Sequence, residues 1–290
     1  MNFQNVGIIG AGAWGTALAI NIARGGKKVV LWSFDGDYKQ FYGVDTPANL
    51  TVVKNPADIA DTDVWLCVTP AAFFKDTLKK FVTVYNNQPI IICTKGADSK
   101  THEFMSEILM DALPQCVDFG VLSGPQFAAE VANGVPTGST LAGTGRALDA
   151  GRAVLNLAHL DETDDVIGAQ ICGVGKNVMA LIAGFLSIKT AGENERAMIF
   201  TRCCNEIINI GLAMGANLRT FTGLCGLGDL FLSATSITSR NYAAGVAIAN
   251  GTTLVGTVEG LFAFDTILNR AEKLGIKTPA LTGIKHKMNI

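Results

Sequence analysis

The 290-residue chain is poor in charge and in histidine. Asp, Glu, Lys and Arg make up only 17% of it, the formal net charge is -2, and Lys and Arg are spread along its length. No basic stripe for a nucleic acid or an anionic membrane surface is present, and small molecules are the expected partners. The three histidines, His102, His159 and His286, are scattered without ligand spacing or a neighbouring Cys or acidic cluster, so no metal is expected. Gly-x-Ser-x-Gly is absent, as is any Cys/His pairing that marks a nucleophile. The seven cysteines (67, 93, 116, 172, 203, 204 and 225) form no Cys-x-x-Cys pair and sit mostly in apolar stretches, as reduced, buried thiols of a cytoplasmic protein do. Met1 to Gln4 lacks the positive region of a signal peptide, and the apolar segment behind it is broken by Gly7, Gly10, Gly12 and Gly15. No uninterrupted apolar run is long enough to cross a membrane, the longest being Val178 to Ile188, so no membrane insertion is expected. Internal repeats and low-complexity tracts are missing too.

What is there is hydrophobic mass, 49% of the residues, enough for a sizeable core and, at this length, for two domains. Up to about residue 162, β-rich runs alternate with helical stretches. The candidate strands are Val6–Ile9, Val29–Trp32, Val64–Val68, Ile90–Cys93, Phe119–Leu122 and Ser139–Ala142. Alternation of this kind predicts βαβ units on a parallel sheet. His159-Leu-Asp-Glu-Thr-Asp-Asp165 reads as a polar break, and long Ala/Gly/Leu/Ile-rich helical segments follow it. The boundary is therefore placed there: an α/β domain over 1–163 and an all-α domain over 164–290. Val178 to Ile188 is apolar on all sides and is expected to be the central helix of the second domain.

Directly after the first candidate strand, and opening an Ala-rich helix, stands Gly10-Ala-Gly12-Ala-Trp-Gly15. A lone Gly-x-Gly-x-x-Gly is a weak pattern, but strand-turn-helix is the context that makes it a Rossmann-type dinucleotide site. Gly10 permits the tight turn, Gly12 lets backbone approach a pyrophosphate, and Gly15 lets the helix lie close to the strand, with the helix N-terminus facing the anion. About twenty residues past the last glycine, after Leu31-Trp-Ser-Phe34, comes Asp35. A carboxylate there accepts hydrogen bonds from the ribose hydroxyls and repels a 2'-phosphate, which predicts NAD(H) over NADP(H). Capping of a following helix is the bland alternative for Asp35.

Three further clusters fit chemistry. Cys93-Thr-Lys95-Gly96 puts a lysine at the carboxyl end of a strand, where open α/β sheets bind ligands. Gly173-Val-Gly-Lys176-Asn177 sets a lysine immediately before the fully apolar helix, where desolvation lowers an ammonium pKa toward the working range of a general acid and base. Most lysines are merely solvated, and it is this placement that singles out Lys176. The third cluster is Gly223-Leu-Cys-Gly-Leu-Gly-Asp229-Leu, followed by Ser239-Arg240-Asn241 at a helix start. Backbone N–H groups and the guanidinium can converge there on a phosphate; an ordinary cap beside a surface arginine explains the same residues. Asp229 can orient Lys176 or a substrate hydroxyl, or cap a short helix.

Together these segments resemble soluble NAD(P)-dependent glycerol-3-phosphate dehydrogenases, in order from about Val6 to Gly260. The pieces that carry the likeness are Gly-Ala-Gly-Ala-Trp-Gly-Thr-Ala (10–17), Thr-Lys-Gly (94–96), Ser-Gly-Pro-Gln-Phe-Ala-Ala-Glu-Val (123–131), Gly-Lys-Asn (175–177), Gly-Leu-Gly-Asp-Leu (226–230), Ser-Arg-Asn (239–241) and Val-Glu-Gly (258–260). The resemblance implies interconversion of glycerone phosphate and sn-glycerol 3-phosphate with NAD, NADP being possible, in a cytoplasmic homodimer that supplies phospholipid synthesis. It implies that Lys176 is the proton donor and acceptor, with Lys95 touching both substrate and cofactor. Gly124, Gln126, Asn177, Asp229, Ser239, Arg240 and Asn241 become substrate contacts. Ala13, Trp14, Phe34, Asp35, Ala128, Arg240 and Glu259 join the three glycines as cofactor contacts. The chain departs from the pattern in four places. Phe34-Asp35 stands where many bacterial members have an arginine, Gln126 replaces a usual Ser or Thr, Gln170 replaces a common Glu, and the chain stops soon after Thr278-Pro279. Two other readings are a 3-hydroxyacid or 6-phosphogluconate-type dehydrogenase, against which Ser-Arg-Asn argues, and a non-catalytic dinucleotide sensor, against which both lysines argue.

Overall fold

Each of the six candidate strands becomes a strand in the computed structural model, which describes residues 2–254, 256 and 258–290. The elements run β1 (Asn5–Ile9), α1 (Ala13–Arg24), β2 (Lys28–Trp32), β3 (Leu50–Val53), β4 (Val64–Cys67), α2 (Ala71–Lys79), β5 (Ile90–Ile92), α3 (Met105–Ala112), β6 (Phe119–Ser123), α4 (Ala128–Ala132), β7 (Gly138–Gly143), α5 (Gly145–Val154) and β8 (His159–Thr163). Helices alone follow: α6 (Val166–Lys189), α7 (Glu193–Ala213), α8 (Leu218–Thr222), α9 (Asp229–Thr235), α10 (Arg240–Asn250), α11 (Glu259–Lys273) and α12 (Pro279–Met288), with a π-helical turn at Leu224–Gly228. By contacts the chain divides into two units, Met1–Lys95 with Phe104–Val166, and Gly96–Glu103 with Ile167–Ile290.

The first unit is built on an eight-stranded sheet in the order β3-β2-β1-β4-β5-β6-β7-β8. Chain direction through the sheet reverses at β1, which lies between β2 and β4, and this opens a crevice at the carboxyl ends of β1 and β4. β4 and β5 are buried at every residue, which is why they read as unbroken apolar runs. Leu18, Ala19 and Ile22 of α1 pack in the same core as Ile8 and Leu66.

The sheet departs from the sequence reading in three places. It is not wholly parallel: β6 leads through the short α4 into β7 without a full crossover, and β7 returns antiparallel. A strand that the alternation did not reveal, β3, pairs with β2. The supposed polar break is β8, an edge strand on β7. Its charges suit an edge, since Glu162 takes the Arg152 guanidinium at 2.6 Å and Asp161 faces His159 at 2.9 Å.

In the second unit α6 is the core. By length and composition it could cross a membrane, but most of its apolar window is buried within the protein, as in the central helix of a globular unit. Glycines bring the helices together. A Cβ at Gly184 would stand 2.0 Å from the Tyr242 carbonyl oxygen, and one at Gly245 would stand 2.0 Å from that of Leu181, so α6 and α10 touch backbone to backbone. Residues 96–103 are tied to α11 by His102, whose Nδ1 lies 3.2 Å from Thr266 Oγ1 and whose carbonyl accepts from Arg270 at 2.9 Å. Six of the seven cysteines are buried and Cys204 is half-buried; all are free thiols.

Candidate active site

In the first unit the glycine turn shows the two steric demands read from its spacing, at Gly10 and Gly15. Gly10 has φ +115°, and a Cβ there would lie 2.8 Å from the Val68 carbonyl oxygen of the neighbouring strand end. Gly15 has no room, its added Cβ falling 1.8 Å from the Gly10 carbonyl oxygen. Gly12 is the contrast: it is the N-cap of α1, and an added Cβ would meet nothing within 4 Å. No side chain caps that helix end and its first turn holds no acidic residue, so its N–H groups face an open cradle. These residues fit the pyrophosphate of a dinucleotide. Ala13 and Trp14 form the first turn of α1, with the indole N–H buried and without a hydrogen-bond partner.

Phe34 follows β2 and is 75% exposed. Asp35 caps no helix. Its Oδ1 accepts from Ser33 Oγ at 2.9 Å and from the Asp37 N–H at 3.0 Å, closing a turn at the carboxyl end of β2. The Asp37 N–H, then the Ser33 hydroxyl, hold this carboxyl below its ordinary pKa. Lys95, just past β5, is half-buried, and its Nζ donates to the Gly124 carbonyl at 2.7 Å. Gly124 lies against β7, where a Cβ would meet Ser139 Cα at 2.7 Å. Around it, the Ser123 and Ser139 hydroxyls and both amide atoms of Gln126 are buried without hydrogen-bond partners, a polar concentration that buried groups rarely leave unsatisfied. Ala128 opens α4. The structure thus brings Lys95, Gly124 and their neighbours to one end of β5 and β6.

In the second unit Lys176 is not at a helix entrance. It lies inside α6, ten residues past its start, because Gly173 and Gly175 continue the helix rather than break it. Gly175 is there for packing: its Cβ would meet Ile207 Cγ2 of α7 at 2.8 Å. The Lys176 side chain is 17% exposed, and Nζ lies 3.2 Å from Asp229 Oδ1, whose side chain is 1% exposed. Asp229 is the first residue of α9, delivered by the π-helical turn rather than by an open loop. Nζ also donates to Ser233 Oγ at 3.1 Å, one turn further along α9. Ser233, in turn 3.4 Å from Asp229 Oδ1, is a site residue that the sequence reading missed. Its only signal was the i, i+4 spacing from Asp229, visible once a helix is known to start there.

Asn177 and Asn241 do more structural work than the sequence suggested. Asn241 donates to Asn177 Oδ1 at 2.9 Å and accepts from the Gly260 N–H at 2.9 Å, while Asn177 donates to Glu259 at 3.4 Å. This buried chain ties α6, α10 and the start of α11 together. Ser239 is the N-cap of α10, its Oγ accepting from the Tyr242 N–H at 3.4 Å. Arg240, the first residue of α10, is exposed, and among the described residues it has no ion-pair or hydrogen-bond partner.

Comparison with known proteins gives this arrangement its context. A family model described as the N-terminus of NAD-dependent glycerol-3-phosphate dehydrogenase matches residues 5–148, and one for the C-terminus of the same enzyme matches residues 165–288. The chain belongs to the NAD-dependent glycerol-3-phosphate dehydrogenase family. It is 35% identical over 299 residues to a glycerol-3-phosphate dehydrogenase [NAD(P)+] of Parvibaculum lavamentivorans, covering 96% of this chain and 90% of that one. A second relative of the same name, from Caulobacter vibrioides, is also 35% identical, over 96% of this chain and 91% of its own. Among solved structures, the glycerol-3-phosphate dehydrogenase of Coxiella burnetii superimposes with a TM-score of 0.88 at 29% identity, covering 98% of this chain and 94% of that chain. Membership in the glycerol-3-phosphate dehydrogenase family makes the chain an enzyme with an NAD or NADP cofactor.

Proposed function

We propose that this enzyme interconverts glycerone phosphate and sn-glycerol 3-phosphate, with Lys176 as its general acid and base. The observation that carries the reading is the ammonium of Lys176 held inside an apolar helix by a buried carboxylate and a buried hydroxyl. Such a group keeps a fixed position and has one proton to give to the substrate's C2 oxygen, and it takes that proton back in the reverse direction. Asp229 orients the ammonium, and Ser233 fixes its second direction. Lys95 adds positive charge that favours the developing oxyanion. The exposed Arg240 and the N–H groups of α10 take the phosphate. Gly124 and the buried amide of Gln126 contact the remainder of the substrate.

The nicotinamide cofactor, when bound, supplies the hydride acceptor or donor. The N-terminus of α1, with Gly10, Gly12, Ala13 and Trp14, holds its pyrophosphate, and Phe34 and Asp35 hold its adenosine end. Ala128 and Glu259 make further contacts. Asp35 favours NAD(H), with NADP(H) accepted second. The working form is a homodimer in the cytoplasm, and its product feeds glycerophospholipid synthesis. The test is oxidation of NADH by glycerone phosphate with the native enzyme and the Lys176→Ala variant. Expected is a fall in kcat of about 10²- to 10⁴-fold with NADH affinity near native. Unimpaired turnover would remove Lys176 from this role, and no turnover by the native enzyme would remove the substrate.

A further inference from the structure

Strands β4 and β5 pair from Trp65↔Ile90 to Cys67↔Ile92, and just past that register the Cys93 N–H donates to the Cys67 carbonyl at 2.8 Å. In a parallel ladder alternate residues carry the bonds, so one further rung would bring the Lys95 N–H to the Thr69 carbonyl. That carbonyl receives a side chain. Thr94 Oγ1 donates to it at 2.7 Å and lies 3.3 Å from the Cys67 carbonyl oxygen. Thr94 and Thr69 are both buried, so the hydroxyl has no ready substitute in bulk water. With the Thr69 carbonyl satisfied in this way, the chain can quit the sheet at Lys95. Gly96 turns it with φ +127°, and Lys95 Nζ reaches the Gly124 carbonyl beyond β6 at 2.7 Å.

The acceptor of the Thr94 hydroxyl has a second neighbour. A Cβ added at Gly10 would stand 3.1 Å from Thr69 Cγ2 and 2.8 Å from the Val68 carbonyl oxygen, so the strand end that Thr94 grips is the one against which the glycine turn is packed. One buried hydroxyl therefore joins the strand end behind the turn at Gly10 to the strand end that carries Lys95. We propose that Thr94 is a positioning residue: its hydroxyl holds Lys95 out of the ladder and fixes the ammonium at a set place relative to the glycine turn. Without the hydroxyl, the buried Thr69 carbonyl regains a partner only if residues 94–95 close on it as a regular rung. That closure draws Lys95 toward β4 and away from Gly124. A charge that favours a developing oxyanion acts only from the right place, and a shift of about 1 Å is enough to forfeit much of its effect. The inference rests on the reading of Lys95 as the residue that touches substrate and cofactor.

The test is steady-state reduction of glycerone phosphate by NADH with the full-length native enzyme, Thr94→Val, Thr94→Ser, Lys95→Ala and the double variant Thr94→Val/Lys95→Ala. Thr94→Val removes the hydroxyl at nearly equal volume and is expected to lower kcat about tenfold. Thr94→Ser keeps the donor and should restore most of the loss. In the Lys95→Ala background, Thr94→Val should change kcat by less than about twofold, because its effect passes through an ammonium that is no longer there. A merely structural role would multiply the two losses. Thr94→Ala, read in the same two backgrounds, serves where the valine variant does not stay folded. Multiplied losses, or native kcat in the folded Thr94 variants, overturn the positioning role while leaving Lys95 in place. Native kcat in Lys95→Ala overturns the reading of Lys95 and the inference with it.

Discussion

Gly12 and Gly15 stand three residues apart in one turn, yet substitution by alanine should break different properties of the protein. At position 15 the new Cβ would lie 1.8 Å from the Gly10 carbonyl oxygen, against an ordinary carbon–oxygen contact of about 3.3 Å. The obstructing atom is backbone, so no rotamer change relieves it, and α1 has to withdraw by more than an ångström from a core in which Leu18 and Ile22 are fully buried. Overpacking of this kind costs about 1–3 kcal/mol, and the upper end is expected here. At about 2–4 °C per kcal/mol, Gly15→Ala should lower Tm by roughly 5–10 °C. At position 12 an added Cβ meets no atom within 4 Å, and φ of -67° with ψ of -176° is open to any L-residue. Losing glycine as N-cap and losing chain entropy in the unfolded state act in opposite directions, each worth under about 1 kcal/mol. Gly12→Ala should therefore melt close to native. Its methyl group, however, occupies the cradle at the α1 N-terminus, and the Kd for ADP-ribose should rise at least about tenfold. Thermal melting and calorimetry on the two variants separate the effects. Native affinity in Gly12→Ala would refute the assignment of the cradle to the pyrophosphate, and a native Tm in Gly15→Ala would refute the steric account of the helix–strand contact.

Ser233→Ala removes the hydroxyl that accepts from Lys176; kcat is expected to fall about tenfold with KM little changed, and Ser233→Thr should restore most of the loss. Burial raises the pKa of Asp98, but hydrogen bonds from the Thr101 and Lys100 N–H groups and the Thr101 hydroxyl outweigh it and hold the carboxyl below 3.8. A depressed folded pKa contributes stability that is complete above the unfolded value and disappears as pH falls through the folded one. Amide exchange in residues 96–103 should therefore quicken only below about pH 4, and Asp98→Asn should abolish that step. Desolvation pushes the Cys203 thiol up to about 12 and raises those of Cys67 and Cys93 well above the ordinary thiol value. At pH near 8 a disulfide reagent should leave these three untouched in the native protein and titrate them after unfolding; fast native labelling of any of them would contradict the burial.

The dinucleotide turn was legible because much of its demand is local: Gly10 takes a positive φ, and Gly15 lies against the Gly10 carbonyl five residues before it. β3 and β8 were not legible, for a different reason. A strand at a sheet edge has one partner and one or more wet faces, so neither an apolar run nor strict alternation is imposed on it. Leu50-Thr-Val-Val53 is too short to stand out, and His159–Thr163 is charged because an unpaired edge favours charge. Gly173 and Gly175 misled in the opposite direction. Glycine in a sequence signals a break, yet in α6 it signals close approach, to Ile207 at one position and to the Tyr242 backbone at another. The information that decides between the two meanings lies more than thirty residues away in the chain.

The same distance hid the partners of Lys176. Sequence singled out the lysine by its apolar context and left Asp229 with three possible roles. Only the crossing of α6 by α9 brings its carboxylate to the ammonium, at 3.2 Å. On the proposed reading that pairing bears on function more than on stability. Withdrawing an ammonium and a carboxylate from water costs several kcal/mol per ion, and their mutual attraction in the interior offsets that only when the geometry is good, so an apolar pair of similar volume would hold the same helices as well or better. Ser233 adds a hydrogen bond to the ammonium and lies against the carboxylate without changing this balance sheet of charge. A helix whose neighbouring residues are almost all buried hydrocarbon therefore carries one lysine whose presence folding does not require. The proton transfer proposed for this enzyme does require it, because a general acid has to be held still and kept from bulk water, and α6 provides both by being the most buried helix of its unit.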